Sequence, residues 1–275
     1  MQGLEHAKQG CAIAFFDIDG TLTRRVVQTG NLYEMPSEET TQALYDFVQA
    51  GNLAFLSSGR SPKGLAHFMD DLPFSGFIAI DGSYVELAGE ALVDTPFPQD
   101  VIWGLIEEAF EFDVCLAFEG RDDDLVVNHT GSRVDPRRII NSLEEVRRIV
   151  PEPYMGKANF HGPDYEVLSK KSTWLDKVQL FEAGAGAWEI APIGVGKDLG
   201  AQAIVEALNK KGITTGKVLA FGDSENDLPV LHMADIAVVM GDAADNVKDE
   251  AQLITEDAAN SGVGHALRQL EHIWR

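Results

Sequence analysis

The sequence predicts an α/β fold in which a doubly wound parallel sheet forms a core and an α+β segment is inserted into it. Two stretches, residues 1–83 and 191–275, alternate short apolar strands with amphipathic helices. This alternation is typical of a parallel sheet covered by helices on both faces. Between them, residues 84–190 show turn-like segments flanked by strand-like runs, which indicate antiparallel hairpins. We therefore expect two domains, with 84–190 inserted between the two halves of the core.

The first stretch has the order strand, helix, strand, helix, strand. Ser37 is a preferred N-cap, and Gly51 follows the last residue of the apolar stripe, so both ends of the first helix are marked. Pro62 suits the first turn of the second helix. The predicted elements are strands at 11–16, 53–56 and 77–80 and helices at 37–50 and 62–69. Strands connected in this way bring their carboxyl ends to one edge of a sheet, where ligands of such sheets gather.

The rest of the chain shows a change of pattern and then a return. In the insertion we predict a hairpin around the polar turn 119–124 and a second strand pair around 182–187. The elements expected there are strands at 114–118, 125–128, 176–181 and 188–190 and helices at 98–112 and 136–150. After Lys197 the alternation resumes, with a helix at 199–209, strands at 217–221, 236–240 and 252–254, and a terminal helix ending at Trp274.

Charge and the absence of targeting signals limit the function. The chain has 44 acidic and 22 basic residues, a formal net charge of −22, which repels nucleic acid and anionic membranes. We find neither a bilayer-spanning apolar run nor the order of a signal peptide, so we expect a cytoplasmic protein. Cys11 and Cys115 are expected to be buried free thiols. An anionic substrate would need a metal and local cations to overcome the negative field.

Asp17 and Asp19 are the most informative pair of residues. They follow an apolar strand and precede Gly20, and residues i and i+2 share a face while the backbone stays extended. Like charges that close repel one another unless a cation or a shared proton offsets them. The pair therefore indicates a metal site that also contains a nucleophile and an acid/base.

A second acidic segment, 222–227, follows another predicted strand and opens a helix. Its carboxylates also belong at the carboxyl edge of the sheet. Oxygen ligands from Asp17, the backbone carbonyl of Asp19 and Asp223, with Asp227 nearby, would suit an octahedral Mg²⁺. The alternative is that Asp223 and Ser224 merely cap the next helix.

Four motifs together resemble those of the haloacid dehalogenase superfamily of phosphatases. They occur in the expected order, and the large insertion between the second and third is similar to the Cof-like branch, which includes sugar-phosphate phosphatases. Two positions depart from that branch, since Asp81 and Asp242 stand where asparagine is usual. The motifs are Asp17-Ile18-Asp19-Gly20-Thr21, Ser57-Ser58-Gly59-Arg60, Lys197, and Gly222-Asp223-Ser224-Glu225-Asn226-Asp227.

The resemblance implies a Rossmann-like core and Mg²⁺-dependent hydrolysis of a small phosphate monoester, a sugar phosphate or a similar metabolite. Asp17 would attack phosphorus, and Asp19 would protonate the leaving alkoxide and later take a proton from water. The metal would be bound by Asp17, Asp19, Asp223 and Asp227. The phosphate would be bound by Gly20, Thr21, Ser58, Gly59, Lys197 and Asn226.

The same resemblance implies that the insertion is a cap that closes over the active site and selects the leaving group. Basic residues of the insertion are candidates for this selection: Arg121, Arg133, Lys157 and Lys170. Three of the seven histidines, His129, His161 and His232, show no spacing typical of metal ligands. The sequence does not determine the oligomeric state.

Several alternatives stay open on the sequence. The chain could be a phosphomutase of the same superfamily, or a non-catalytic signalling domain that carries phosphate on Asp17. Asp19 argues against the second, because a long-lived aspartyl-phosphate needs no adjacent acid/base. Ser57 could face the phosphate instead of Ser58, and Arg60 could reach the substrate or pair with an acid.

Overall fold

The computed structural model describes residues 3–129, 138–184 and 186–275. The chain divides into two compact units. The first comprises Met1–Arg60, Gly64–Val93 and Gly196–Arg275, and the second comprises Ser61–Lys63 and Asp94–Val195. The first unit therefore continues past residue 83, and both ends of the chain belong to it.

The elements are numbered in chain order. The strands are β1 (Cys11–Phe16), β2 (Leu53–Ser57), β3 (Phe74–Ala79), β4 (Tyr84–Leu87), β5 (Glu90–Asp94), β6 (Leu116–Gly120), β7 (Asp124–Val127), β8 (Arg138–Ile140), β9 (Met155–His161), β10 (Gln179–Gly184), β11 (Ala187–Ala191), β12 (Thr215–Gly222), β13 (Ile236–Val239) and β14 (Leu253–Ile254). The helices are α1 (Val26–Thr29), α2 (Glu38–Gln49), α3 (Pro62–Asp71), α4 (Gln99–Glu111), α5 (Leu143–Ile149), α6 (Gly162–Lys171), α7 (Lys197–Lys210), α8 (Leu228–Met233), α9 (Asp245–Lys248), α10 (Gly262–Gln269) and α11 (Glu271–Trp274).

The first unit is built on an eight-stranded sheet in the order β14-β13-β12-β1-β2-β3-β4-β5. From β14 to β3 every neighbouring pair is parallel, and β4 joins β3 antiparallel. The order along the chain reverses at β1, which lies between β12 and β2. In open α/β sheets such a reversal opens a crevice at the carboxyl ends of the strands.

Strand β1 is apolar throughout because both of its faces are covered. Phe16 belongs to a core cluster with Phe47 of α2 and Leu267 of α10. Phe15 points the other way, into a cluster that includes Ile204 of α7. Every residue of β1 is buried. A strand that is buried on both faces consists of consecutive apolar residues, so the first polar residue, Asp17, marks its end.

The second unit has its own six-stranded sheet, in the order β10-β11-β9-β6-β7-β8. Its pairs are antiparallel except β7 with β8. Leu105 of α4, Val146 of α5 and Leu168 of α6 share one apolar core with Phe118 and Phe160 of the strands. The predicted fold class, a doubly wound α/β core with an α+β insertion, is confirmed.

One predicted helix of the insertion is wrong in its first half. Instead of a helix over 136–150, residues 138–140 form β8, and the helix begins only at Leu143; residues 136–137 lie outside the described residues. The side-chain oxygen of Ser142 accepts from the Glu145 N–H at 3.2 Å. This Ser-x-x-Glu pattern is a helix start signal, and it outweighs the helical periodicity of the residues before it.

The structure also contains elements that the sequence analysis did not predict. Neither β4 nor β5 was predicted, because both are short and β5 is largely exposed at a sheet edge. The elements β9 and α6 were not predicted either, and the strand expected at 176–181 begins at Gln179.

Neither cysteine is part of a disulfide, and Cys11 is buried whereas Cys115 is only half-buried. The expectation of a buried thiol is therefore wrong for Cys115. Within the described residues, no helix combines the length and apolarity that a membrane crossing requires.

Candidate active site

Asp17 stands at the carboxyl end of β1, where the sheet continues for one more residue. Its N–H donates to the Phe221 carbonyl at 3.0 Å, so the backbone is still extended at this first carboxylate. Beyond it the chain turns, and the Thr23 N–H donates to the Ile18 carbonyl at 2.9 Å. The side chain of Asp17 is 8% exposed and that of Asp19 is 34% exposed. The two carboxylates therefore have different environments although only one residue separates them.

The loop after β12 is closed by the carboxylate of Asp227. Its Oδ2 accepts from the N–H groups of Asp223 at 3.1 Å and Ser224 at 3.2 Å. Ser224 caps the turn that follows, in a capping box with Asp227. The carboxylate of Asp223 takes no part in this cap. The alternative that Asp223 and Ser224 merely cap the helix therefore applies to Ser224 alone.

Lys197, the first residue of α7, joins these two loops. Its Nζ donates to Oδ1 of Asp17 at 3.0 Å and to Oδ1 of Asp227 at 2.6 Å. All three residues are buried. Burial alone would lower the pKa of Lys197, but Asp17 and Asp227 outweigh it and hold that pKa above its usual value. The lysine is therefore a permanent buried cation between two carboxylates.

Asp17, Asp223 and Asp227 form a buried acidic cluster. Each offers one carboxylate oxygen, and these oxygens lie within 4.8 Å of one another. Burial and the charge of Asp227 raise the pKa of Asp17, although Lys197 opposes the shift. The same two causes raise the pKa of Asp223 to about 7. A divalent cation would offset this repulsion, and an oxygen-only donor set fits Mg²⁺.

Asp19 is held apart from this cluster by Arg60. The guanidinium donates from Nε to Oδ2 at 2.7 Å and from Nη2 to Oδ1 at 2.6 Å. Of the two possibilities that the sequence left for Arg60, the structure therefore shows pairing with an acid. A two-point contact fixes both the position and the plane of a carboxylate.

Comparison with known proteins identifies the family. The sequence profile of the haloacid dehalogenase-like hydrolases matches residues 14–267. The chain belongs to this family. The prediction of an enzyme of the haloacid dehalogenase superfamily is confirmed, and relatives named as phosphatases support a phosphatase.

Two curated relatives span nearly the whole chain. YkrA of Bacillus subtilis (strain 168), which carries a provisional phosphatase name, is 24% identical over 94% of this chain and 97% of its own length. The 5-amino-6-(5-phospho-D-ribitylamino)uracil phosphatase YcsE of the same organism is 25% identical, covering 92% of each chain.

Solved structures of the family share the fold. BT1666 from Bacteroides thetaiotaomicron, described as a phosphatase of this superfamily, superposes with a TM-score of 0.77 at 24% identity, covering 97% of this chain and 96% of its own. BT4131, described as a subclass IIB sugar phosphatase, gives a TM-score of 0.74 at 22% identity, covering 95% and 99%. At these identities the likeness shows the fold alone, and it is the core-and-cap fold that the motifs implied.

The motif residues that are predicted to bind phosphate occupy the loops around the cluster. Thr21 Oγ1 lies 3.5 Å from Oδ1 of Asp223. The Gly20 N–H donates to the Thr23 carbonyl at 2.8 Å, inside its own loop. Asn226 donates from Nδ2 to Oδ1 of Asp81 at 3.4 Å. These contacts place the residues at the carboxyl edge of the sheet, while their roles toward phosphate stay predictions.

The second family motif contains two serines in different situations. The Ser58 side-chain oxygen accepts from the Arg60 N–H at 3.2 Å. The Ser57 side-chain oxygen is buried, and within the described residues it has no hydrogen-bond partner. Both serines lie at the carboxyl end of β2, next to β1. Which of them contacts a phosphate remains a prediction, with Ser58 preferred because it precedes Gly59.

The basic candidates in the second unit have separate surroundings. Arg121 pairs with two aspartates and lies over a tyrosine ring. Lys157 is buried, with its Nζ 3.8 and 3.6 Å from the carboxylates of two glutamates. Lys170 is exposed on α6, and Arg133 lies outside the described residues. Of the three candidates that the structure describes, each therefore has its own separate surroundings.

Sequence reasoning missed Arg25. Its Nη2 donates to Oδ2 of Asp223, so a second cation contacts the acidic cluster. Arg25 belongs to none of the four motifs, and the basic pair it forms with Arg24 resembles any exposed surface segment. No sequence signal distinguishes it, because its partner lies 198 positions away.

Proposed function

We propose that the protein is a Mg²⁺-dependent phosphatase that hydrolyses a small phosphate monoester, a sugar phosphate or a similar metabolite, through an aspartyl-phosphate on Asp17. One observation carries the proposal: Asp17 lies buried against Lys197 and two further carboxylates, while Asp19 is held separately by Arg60. This is the division needed between a nucleophile and an acid/base. The relatives named as phosphatases, one of them acting on a phosphorylated ribityl compound, support the substrate class.

In the first step Asp17 attacks phosphorus through a carboxylate oxygen, and the bond from phosphorus to the substrate oxygen breaks. Its neighbour Lys197 is a buried permanent cation, which favours a negatively charged phosphoryl group at this point. The covalent intermediate divides one difficult displacement into two easier ones.

Asp19 would transfer the protons. It would give a proton to the leaving alkoxide, then remove one from the water that attacks the aspartyl-phosphate. Its side chain is 34% exposed, so it can exchange protons with solvent. Arg60 orients the carboxylate for both steps.

The metal would be held by Asp17, Asp223, Asp227 and the backbone carbonyl of Asp19. When bound, Mg²⁺ supplies positive charge to the phosphoryl oxygens. The remaining phosphate contacts would come from Thr21, Ser58, Asn226 and the backbone near Gly20 and Gly59, with Lys197 completing the set. These groups would bind and orient the phosphate for in-line attack.

We further propose that residues 1–83 and 191–275 form the catalytic core and that 84–190 form a cap that selects the substrate. A lid of this kind excludes water and contacts the leaving group. The partner would be a small phosphorylated metabolite of the cytoplasm rather than nucleic acid or a membrane, because the net charge of −22 repels polyanions.

The test is hydrolysis of p-nitrophenyl phosphate with and without Mg²⁺. The wild-type protein is expected to release phosphate only with the metal, and Asp17→Asn is expected to lose at least about a thousandfold in kcat. A panel of sugar phosphates, scored for free phosphate against isomerised product, then separates a hydrolase from a mutase. Unchanged activity in Asp17→Asn would refute the nucleophile, and isomers without phosphate release would refute the hydrolase.

A further inference from the structure

Arg25 contacts the buried acidic cluster, but it lies outside the four family motifs. It directly precedes the short helix α1, and 40% of its side chain is exposed. Its Nη2 nevertheless reaches Oδ2 of Asp223, a side chain that is 1% exposed. A partly exposed arginine thus contacts one of the buried carboxylates that would bind Mg²⁺.

Arg25 is not the only contact that the structure gives Asp223. A Cβ atom at Gly20, whose φ is +106°, would lie 2.1 Å from the same Oδ2, so the Gly20 backbone packs directly against that oxygen. On the other side the Asp223 N–H donates to Asp227. The Asp227 carboxylate therefore fixes the backbone of Asp223, and the Asp223 carboxylate packs against Gly20 as well as pairing with Arg25.

The charges at the site explain why a second cation lies there. Asp17, Asp223 and Asp227 carry three negative charges, and Lys197 offsets only one of them when all are ionised. Arg25 contacts Asp223 and offsets a second. A bound Mg²⁺ would provide the same compensation with twice the charge, and two cations at one carboxylate repel each other. Arg25 and the metal therefore stabilise the same carboxylate in competition.

We infer that Arg25 is an internal counter-cation that occupies Asp223 in the metal-free protein and lowers the affinity of the site for Mg²⁺. The inference deepens the proposed function and rests on it, since it concerns the metal of that reaction. Because the Arg25 side chain is partly exposed, it would withdraw to solvent when the metal binds. Arg25 would thus determine the Mg²⁺ concentration at which the site fills, without being a metal ligand.

The test is isothermal titration of the metal-free, full-length protein with MgCl₂. Arg25→Gln is expected to bind Mg²⁺ at least about fivefold more tightly than the wild type, because a positive charge near the ligands is removed. Arg25→Lys keeps the charge, so its affinity for Mg²⁺ is expected to stay within about twofold of that of the wild type. The matched control is Arg24→Gln, which removes the same charge from the neighbouring residue, whose Nε pairs with Glu34 at 2.7 Å. It is expected to leave the affinity unchanged.

Thermal unfolding gives an independent readout. Without metal, Arg25→Gln is expected to melt at a lower temperature than the wild type, and with saturating Mg²⁺ the difference is expected to disappear, because the metal then replaces the arginine. Arg25→Met provides the same comparison if the glutamine variant folds poorly.

Each other outcome has a definite meaning. If the wild type binds Mg²⁺ but Arg25→Gln binds it equally or more weakly, the inference is overturned while the proposed function stands. Tighter binding in Arg25→Lys or Arg24→Gln would overturn it as well, since the effect would not follow the charge at position 25. If Arg25→Gln binds inorganic phosphate more weakly in the same calorimeter while its Mg²⁺ affinity is unchanged, the inference is overturned and Arg25 is a phosphate ligand instead. A wild type that binds no Mg²⁺ would overturn the metal-dependent function together with the inference.

Discussion

Arg60 and Asp19 form a two-point ion pair, with Nε 2.7 Å from Oδ2 and Nη2 2.6 Å from Oδ1. The remaining nitrogen of the same guanidinium, Nη1, donates to the Leu32 carbonyl at 2.8 Å. The group also lies over the ring of Phe68, with 5.6 Å between Cζ and the ring centroid. The candidate acid/base is therefore held by an arginine whose guanidinium has two further contacts, with Leu32 and Phe68. Arg60 acts as a positioning residue.

Arg60→Met is expected to lower kcat by about 10- to 100-fold on an alkyl phosphate but much less on p-nitrophenyl phosphate. The reason is that a phenolate with a low pKa leaves without protonation, so it depends less on a well-placed acid. The measurement is kcat and KM on both substrates. Arg60→Lys is expected to recover little, because a lysine cannot make the two-point contact. Equal losses on both substrates would contradict a role through Asp19.

Lys197→Met is expected to reduce the free energy of unfolding of the metal-free protein by about 3 kcal/mol, because it leaves two buried carboxylates without their shared cation. Urea denaturation in EDTA measures this. The control is Lys211→Met, which breaks an exposed pair with Glu90 at 2.8 Å and is expected to reduce the free energy of unfolding far less, because solvent screens an exposed pair. Similar losses in both variants would show that the buried pairing contributes no more than a surface one.

Gly20→Ala is expected to weaken Mg²⁺ binding strongly, because the added Cβ would meet Oδ2 of Asp223 at 2.1 Å. Gly30→Ala is a matched control: Gly30 also has a positive φ, +67°, but a Cβ there would meet nothing within 4 Å. The control carries only the backbone strain, about 1 kcal/mol. Titration calorimetry separates the two, and an unchanged metal affinity in Gly20→Ala would contradict the role of Asp223.

The stability of the metal-free protein is expected to fall as pH rises from about 4 to about 7. The folded-state pKa of Asp17 lies above its usual value, and that of Asp223 is about 7, whereas an unfolded aspartate titrates near ~3.9. Between these values the folded state binds more protons than the unfolded state, so raising the pH favours unfolding. The stabilising contribution of these two carboxyl groups is fully present below the pKa that they have in the unfolded state. It is lost as the pH rises through the pKa that they have in the folded state.

Mg²⁺ requires ionised ligands, so the increase in Tm that it causes is expected to be larger at pH 8 than at pH 5.5. Scanning calorimetry in EDTA and in MgCl₂ across this range measures both effects. A metal-induced increase that shrinks as the pH rises would contradict the assignment of these carboxylates as ligands.

The local parts of the site could be predicted because their signals are local. The strand at 11–16 was predicted with the bounds that the structure has, since six apolar residues followed by Asp17 can only end a doubly covered strand. The loop 222–227 was placed at the same sheet edge for the same reason. The helix N-cap at Ser37 was also visible, and its side-chain oxygen accepts from the Thr40 N–H.

Other features depend on which side chains meet across the fold. Whether Asp223 caps a helix could not be decided until the structure showed Ser224 in that role and the Asp223 carboxylate turned to Arg25. The partner of Arg60 stayed open, because an arginine after a strand can extend in several directions. The edge strand β5 was missed because an exposed edge imposes little apolar pattern on its residues.

The sequence by itself determined the fold class and the two acidic loops, because strand periodicity and turn chemistry act over a few residues. The resemblance of its motifs to those of the family implied the division of roles between Asp17 and Asp19. Only the tertiary structure decided the ion pairs, since they join residues 41, 180 and 198 positions apart: Asp19 with Arg60, Asp17 with Lys197, and Arg25 with Asp223. Electrostatic compensation in a buried site depends on distance in space. No local pattern could therefore show which cation each carboxylate receives.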